Sequence, residues 1–312
     1  MLRKWFRRKK ADEAENGLFV RVEDLAAMRR YVPYMREANR RKSFSRQAGD
    51  VKSVFKGRGM ELEEVRAYAF GDDVRDIDWR VTARKDTPYT KLFAEEKDHE
   101  IYVWLDLSTP MAFGTKRELK SVTAAKITAL IGWMALEHKD RFGCIIYDGE
   151  KSWLFKPQNS QKQMMAVFKQ IASLSQNLLK KKNSRAGGNT ALSFKMLEQS
   201  VRPQAEVFIV SDFNGFDDAL LKQTAALARK TQLHLLNVFD VLEETAPKAG
   251  EYMAEYEGKR LIFDSSPSIY RRDYQHYFAD KKNKIKDFCR RFNCQFMEFR
   301  TDKEIADNLK IL

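Results

Sequence analysis

Carboxylate and hydroxyl side chains follow the apolar segments of this sequence at places where chemistry could occur. Asp106 and Ser108 come directly after one apolar run, and Asp212 comes directly after another. Thr190 opens a predicted helix behind two glycines. Oxygen ligands of these types are what a small divalent cation such as Mg²⁺ binds in proteins. The same residue types also cap helices and satisfy backbone groups in turns, so a purely structural role is the alternative interpretation.

The elements that must position these side chains are alternating strands and helices. The unbroken apolar run over 101–106 predicts a buried strand, and apolar residues three and four apart over 119–136 predict a helix. The remaining predicted strands are 142–147, 152–155, 206–210, 233–238, 252–256, 260–263 and 295–299. The remaining predicted helices are about 22–42, broken at Pro33, and 161–174, 190–199, 217–230, 271–291 and one from Lys303. This order predicts a doubly wound, mostly parallel α/β sheet whose ligand crevice lies at the carboxyl ends of the strands.

The combination of sheet and oxygen ligands resembles the von Willebrand factor A fold. The metal-ion-dependent adhesion site of that fold takes its ligands from a D-x-S-x-S loop, a distant Thr and a distant Asp. The four matching positions are Asp106, Ser108, Thr190 and Asp212. Pro110, which has no hydroxyl, replaces the second Ser of the motif. The resemblance therefore implies an Mg²⁺ site that is weakened by the loss of one ligand.

The stretch from Gly57 to Arg84 is the most distinctive part of the sequence. Its characteristic positions are Gly57, Arg58, Gly59, Glu61, Arg66, Tyr68, Gly71, Asp72, Asp73, Arg75, Ile77, Asp78, Trp79, Ala83 and Arg84. They closely resemble the signature of the bacterial family DUF58, which couples this segment to a von Willebrand factor A-like domain. The resemblance runs from about Gly57 to Pro157, and Leu62 departs from it, because the family usually has Phe there.

This resemblance implies a function in protein interaction. DUF58 proteins are thought to work beside a MoxR-type AAA+ ATPase in maturing or assembling client proteins, without catalysing a reaction themselves. In the sequence, the four histidines are scattered, and neither a G-x-S-x-G motif nor a P-loop is found. We therefore expect a non-enzymatic module, with no catalytic residue, that binds this ATPase and its clients.

The aspartates of the signature support a different interpretation. A metal-dependent phosphohydrolase needs carboxylates that converge on a substrate, and the candidates are Asp72, Asp73, Asp76 and Asp78. A mutual ion-pair network is the simpler interpretation, because arginines occur in equal number at Arg66, Arg75, Arg80 and Arg84. The local pattern fits either a strand or a short helix with Asp73 as its N-cap.

The charge of the chain is regional. The 312 residues contain 57 Lys and Arg against 44 Asp and Glu, a formal net charge of +13. The basic excess lies in 1–10, 29–58, 180–185 and 271–291. It allows non-specific attraction to nucleic acid as a further alternative, but no motif of a sequence-specific reader is found. Trp5 and Phe6 within the first basic cluster allow, at most, peripheral membrane contact through residues 1–10.

The apolar segments favour a cytoplasmic protein. The longest apolar run, 129–136, is far shorter than the roughly 20 residues of a membrane-spanning helix, and the first ten residues lack the apolar core of a secretory signal. The basic residues at the start of the sequence predict a basic tail over 1–20. The resemblance implies an accessory segment with the DUF58 signature over 21–98 and a von Willebrand factor A-like domain over 99–312.

Overall fold

The computed structural model describes residues 17–34, 62–69, 74, 77–85, 87–93, 99–180, 190–245, 247–256 and 259–311. The described helices are α1 Val22–Ala26, α2 Trp79–Lys85, α3 Lys120–Glu137, α4 Gln161–Leu178, α5 Thr190–Ser200, α6 Asp218–Ala228, α7 Val241–Glu244, α8 Ser268–Phe292 and α9 Ile305–Ile311. The described strands are β1 Leu62–Ala67, β2 Tyr89–Phe93, β3 Glu100–Asp106, β4 Arg141–Tyr147, β5 Ser152–Gln158, β6 Glu206–Ser211, β7 Gln232–Phe239, β8 Glu251–Tyr256, β9 Lys259–Asp264 and β10 Gln295–Arg300. Short 3-10 helices cover Ala27–Tyr31 and Thr109–Met111.

The chain forms two compact units. The small unit is Ser53–Asp98, and the sheet unit consists of Met1–Lys52 together with His99–Leu312. Of the accessory segment predicted over 21–98, the described residues 21–34 group with the sheet unit. The reason is visible in the contacts of residues 17–34, here called the arm.

The arm packs on helices α3 and α4. The backbone N–H of Val20 donates to Ser175 Oγ at 3.2 Å, and the Trp133 indole N–H donates to the carbonyl of Leu25 at 3.1 Å. The side chains of Leu25 and Met28 are buried. The arm is therefore part of the core of the sheet unit. The basic tail predicted for 1–20 lies outside the described residues up to residue 16.

The small unit contains an antiparallel pair of strands and a short helix. Strands β1 and β2 pair with Ala67 opposite Tyr89. The carboxylate of Asp78 accepts the backbone N–H groups of Arg80 and Val81 at 3.0 and 3.2 Å, so Asp78 caps α2. The helix alternative is thus confirmed, but its cap is Asp78, and Asp73 lies outside the described residues.

The sheet unit contains a six-stranded sheet in the order β10-β7-β6-β3-β4-β5. Every neighbouring pair is parallel except β4 and β5, which form a hairpin. Counted along the chain within this sheet, the order is that of a doubly wound fold, and it reverses between β3 and β6. The predicted mostly parallel α/β sheet is confirmed.

Both faces of the sheet are covered. Strand β3 is buried along its whole length, as its apolar run predicted. On one face, Trp104 packs against Tyr147 and Phe194, and its indole N–H donates to Ser193 Oγ at 2.8 Å. Helix α3, which covers the other face, is buried on nearly all sides and begins with a buried lysine. Among the described residues, no helix has the length and apolar character needed to cross a membrane.

Candidate functional site

The first carboxylate of the site, Asp106, ends strand β3 beside the point where the strand order reverses. Its Oδ1 accepts the backbone N–H of Ser108 at 2.9 Å, and its Oδ2 accepts the hydroxyl of Ser211 at 2.7 Å. Ser211 ends the neighbouring strand β6. Burial, and then the charge of Asp212, raise the pKa of Asp106 to about 6. Asp106 therefore joins the two strand ends that flank the crevice.

The second carboxylate, Asp212, follows β6 directly. Its Oδ1 accepts the backbone N–H of Asn214 at 2.9 Å. Its Oδ2 accepts the amide of Asn214 and the ammonium of Lys120, both at 2.7 Å. Phe213, which lies between Asp212 and Asn214, has a φ of 57°. This is the left-handed region of backbone conformation, in which an aromatic residue is strained. This turn holds Asp212 inside the crevice and Asn214 on its exposed edge.

The ammonium of Lys120 is the centre of the charged cluster. Lys120 begins helix α3, is 1 % exposed, and contacts Asp212 Oδ2 and Glu243 Oε1 at 2.7 Å each. The ring of Phe113 lies over it, with the nitrogen 5.6 Å from the ring centroid. Burial lowers the pKa of Lys120, but the charges of Asp212 and Glu243 outweigh burial and raise it. Lys120 is therefore a charged, doubly paired ammonium.

A capping interaction orients Glu243. Asp240 follows β7 and caps α7, and its backbone N–H donates to Glu243 Oε2 at 2.9 Å. The other oxygen of Glu243 faces Lys120. The carboxylate of Asp240 itself accepts both Thr115 and Thr301 hydroxyls at 2.6 Å. Hydrogen bonds therefore connect the loops after β7 and β10 to the same charged cluster as the ends of β3 and β6.

A second lysine approaches from helix α8. Lys281 donates to Asn214 Oδ1, and Asn214 in turn donates to Asp212. Burial lowers the pKa of Lys281, as does the charge of Lys120, whereas Asp212 and Glu243 oppose the shift. The crevice therefore contains two ammonium groups and three carboxylates, those of Asp106, Asp212 and Glu243.

The structure brings together three of the four residues predicted to bind a metal ion. Asp106, Ser108 and Asp212 lie at the adjoining ends of β3 and β6. Thr190 begins helix α5, and its hydroxyl donates to Tyr147 at the end of β4, at 3.1 Å. Pro110 lies in the 3-10 helix after Ser108.

These residues do not fit a divalent cation. The Asp212 oxygen that faces the cluster already accepts the ammonium of Lys120 at 2.7 Å. Both oxygens of Asp106 accept hydrogen bonds from Ser108 and Ser211. In the part of the chain that the structure describes, no group of three or more His, Cys, Asp and Glu side chains could hold a metal ion. A positive charge is present in the site, and a lysine supplies it.

The comparisons with known proteins agree with the signature of the small unit. The family described as "Protein of unknown function DUF58" matches residues 64–284, which is most of the chain. The chain belongs to the DUF58 family. Relatives include the uncharacterized proteins Rv1480 of Mycobacterium tuberculosis and Mb1516 of Mycobacterium bovis. Each is 25% identical over 273 residues, which covers 85% of this chain and 82% of the relative.

Some solved structures are similar to part of the chain. One is the conserved hypothetical protein BatB from Bacteroides thetaiotaomicron, with a TM-score of 0.41 and 16% identity. Another is an aerotolerance-related membrane protein from Bacteroides fragilis, with a TM-score of 0.40 and 13% identity. Each similarity covers 68% of this chain and 95% of the other.

The described part of the DUF58 signature has a structural role in the small unit. Arg66 donates to the neighbouring carbonyl of Ala67, and Asp78 caps α2. Within the signature, the positions outside the described residues are Gly57, Arg58, Gly59, Glu61, Gly71, Asp72, Asp73 and Arg75, and Asp76 is also outside them. The convergence of four aspartates required by the phosphohydrolase alternative therefore falls largely outside the described part of the chain.

Sequence reasoning missed Lys120, Glu243 and Asn214. The lysine is the first residue of a mostly apolar helix, and a charged residue at a helix end normally reaches solvent. Asp240 follows strand β7 directly, as Asp106 ends β3 and Asp212 follows β6, so the same rule would have drawn attention to the loop that carries Glu243.

Proposed function

We propose that this DUF58 protein is a non-enzymatic interaction module that holds a partner protein at the crevice between β3 and β6. The observation that carries the proposal is the strained turn at Phe213, at the reversal of the strand order. Strain of this kind persists where the surroundings hold it, and it is concentrated at binding and catalytic sites. It places Asn214 and Gly215 on the exposed edge.

The polar groups of the crevice favour binding over catalysis because they hold one another in place. Ser211 donates to Asp106 and accepts the backbone N–H of Phe213 at 3.1 Å. Asp212 accepts three hydrogen bonds from Asn214 and Lys120. Such a surface is preorganised, which lowers the conformational entropy that its own side chains lose when a partner binds.

The partner that we favour is a MoxR-type AAA+ ATPase, together with the client proteins on which it acts. The support for this partner is the resemblance of the signature to DUF58 proteins. We place the interaction in the cytoplasm, where such an ATPase finds ATP. The crevice would bind the ATPase or its client while the ATPase supplies the energy of ATP hydrolysis.

A charge placed on the edge of the crevice tests this function. Gly215 is exposed, and an added Cβ would meet no atom within 4 Å, so Gly215→Glu should leave the fold intact. We expect it to weaken co-purification with the ATPase about tenfold or more, because an unpaired charge is buried on binding. Ala166→Glu, on the exposed side of α4, is the matched control and should bind normally.

The outcomes separate the alternatives clearly. Equal binding by Gly215→Glu and Ala166→Glu would show that the partner binds to a surface other than the crevice. If the unmodified protein neither binds the ATPase nor changes its rate of ATP hydrolysis, this partner is wrong. Turnover of phosphoesters that is lost in Asp78→Ala would favour the phosphohydrolase alternative instead.

A further inference from the structure

The contacts of Lys120 have a meaning that goes beyond partner binding. Its ammonium bridges two carboxylates from different elements, Asp212 after β6 and Glu243 in α7. These carboxylates are of the kind that hold a divalent ion when no other cation is present. A metal ion would need oxygen ligands at about 2.1 Å in the same space that the ammonium fills. The two cations therefore exclude each other.

The position of Lys120 opposes two general preferences. A buried ammonium loses its hydration, and a cation in the first turn of a helix faces the positive end of the helix dipole. Lys120 is fully buried and is the first residue of α3. Both costs are offset only because Asp212 and Glu243 are in contact with it. A residue held against two local preferences usually serves a specific purpose.

The two ammonium groups offset most of the negative charge of the crevice without a metal ion. The carboxylates are those of Asp106, Asp212 and Glu243, and Lys120 and Lys281 supply two positive charges around them. The pKa of Asp212 is lowered, because Lys120 and Lys281 outweigh the effect of burial, so this carboxylate is ionised. A divalent ion added to the cluster would face both ammonium groups at short range in a poorly solvated site.

We propose that the Lys120 ammonium is a built-in cation that takes the place of a divalent metal ion, so that the crevice is complete without metal. Removing this ammonium should then convert the cluster into a divalent-cation site formed by Asp212 and Glu243, with Ser108 and Asp106 nearby. The inference does not depend on which protein the crevice binds.

The unmodified full-length protein gives the first test. Mn²⁺ binding is followed by the loss of the free-ion signal in electron paramagnetic resonance, and the melting temperature is measured in EDTA and in millimolar Mg²⁺. We expect no stoichiometric Mn²⁺ binding and equal melting temperatures in the two buffers. One Mn²⁺ bound per chain, and lost in Asp212→Asn, would overturn the inference whether or not any lysine variant folds.

The variant Lys120→Ala gives the second test. It leaves Asp212 and Glu243 unpaired, so its melting temperature in EDTA should fall by about 10 °C. Millimolar Mg²⁺ or Mn²⁺ should restore most of this loss, with one Mn²⁺ bound per chain. A folded Lys120→Ala protein that binds no Mn²⁺ and is not stabilised by either ion would contradict the inference.

The matched control is Lys126→Ala on the same helix. Lys126 also pairs with a buried carboxylate, that of Glu118, but away from Asp212 and Glu243. Its loss should lower the melting temperature without creating a Mn²⁺ site. Equal stabilisation of both lysine variants by Mn²⁺ would mean that any unpaired carboxylate in this protein binds the ion, and the special role of Lys120 would be rejected.

Discussion

Asp240 shows how this protein keeps a carboxylate charged in its interior. The side chain is fully buried, yet it accepts hydrogen bonds from the hydroxyls of Thr115 and Thr301 and from the backbone of Thr115 and Leu242. Burial raises the pKa of Asp240, but these hydrogen bonds outweigh it and lower the pKa below its usual value. Hydrogen bonds to a charged group are stronger than those between neutral groups, so Asp240 stabilises the loops around the crevice.

We expect Asp240→Asn to lower the free energy of unfolding at pH 7 by about 2 kcal/mol, because it removes the charge and turns one acceptor into a donor. Urea denaturation measures the change. Because the pKa of Asp240 is lower in the folded state, its contribution is present above the unfolded pKa and is lost as the pH falls through the folded one. The difference between the proteins should therefore shrink below about pH 4.

Asp287→Asn is the control for this measurement. Asp287 is exposed on α8 and pairs with Arg290 one turn away. Exposed pairs of this kind contribute little, so the urea midpoint should not change. A midpoint for Asp240→Asn that also equals that of the unmodified protein would mean that the buried charge contributes nothing to stability.

At the scale of the elements, the central strands could be predicted from the sequence and the charged cluster could not. A strand such as β3 is apolar on both faces, so its residues alone indicate its environment. Lys120 has no such local signal, because its burial depends on Glu243, which lies 123 residues away. Hydrophobic periodicity reports which face of an element is apolar, and it carries no information about a partner in another loop.

The cap of helix α2 could be predicted only in part. The helix alternative predicted from the sequence has Asp73 as its N-cap, and Asp78 is of the same residue type. The structure selects Asp78, whose backbone N–H donates to Tyr89 at 2.8 Å and so fixes the start of the helix beside β2. A tertiary contact therefore fixes the start of the helix, and the local sequence carries no information about that contact.

We expect Asp78→Ala to lower the stability of the small unit by about 1 kcal/mol, the usual value of an N-cap side chain. Amide hydrogen exchange at Val81 and Thr82 should become faster. Asp78→Ser, which retains a capping oxygen, should exchange at nearly the original rate. Equal protection of these amides from exchange in Asp78→Ala and in the unmodified protein would show that the Asp78 side chain does not stabilise the helix as its cap.

At the scale of the whole molecule, the arm belongs to the core of the sheet unit. Leu25 in the arm is 0 % exposed. We expect Leu25→Ala to lower the free energy of unfolding by about 3 kcal/mol, as for other buried leucines. Leu18→Ala, at a position 45 % exposed, is the control and should change it by no more than about 0.5 kcal/mol. Equal melting temperatures of Leu25→Ala and Leu18→Ala in calorimetry would show that the arm does not contribute to the core.

Basic side chains of helix α8 form ion pairs with acidic side chains of the same molecule. Lys282 pairs with Glu298 at 2.6 Å, Lys284 pairs with Asp218 at 2.9 Å, and Lys286 pairs with Glu298 at 3.5 Å. A surface that attracts nucleic acid leaves such charges free for phosphates. This helix therefore offers little support for the nucleic-acid alternative, and the other basic segments lie largely outside the described residues.

The packing of the arm also sets an order of events during synthesis. Val20 reaches its partner Ser175 only after the whole small unit, Ser53–Asp98, has left the ribosome. The chain must then grow from Asp98 to Ser175, which takes roughly 4 to 15 s at ribosomal rates. During this interval Leu25 and Met28 lack α4, one of the two helices on which the arm packs. The nascent sheet unit thus carries a partly uncovered apolar arm, a surface of the kind that chaperones bind, until α4 emerges.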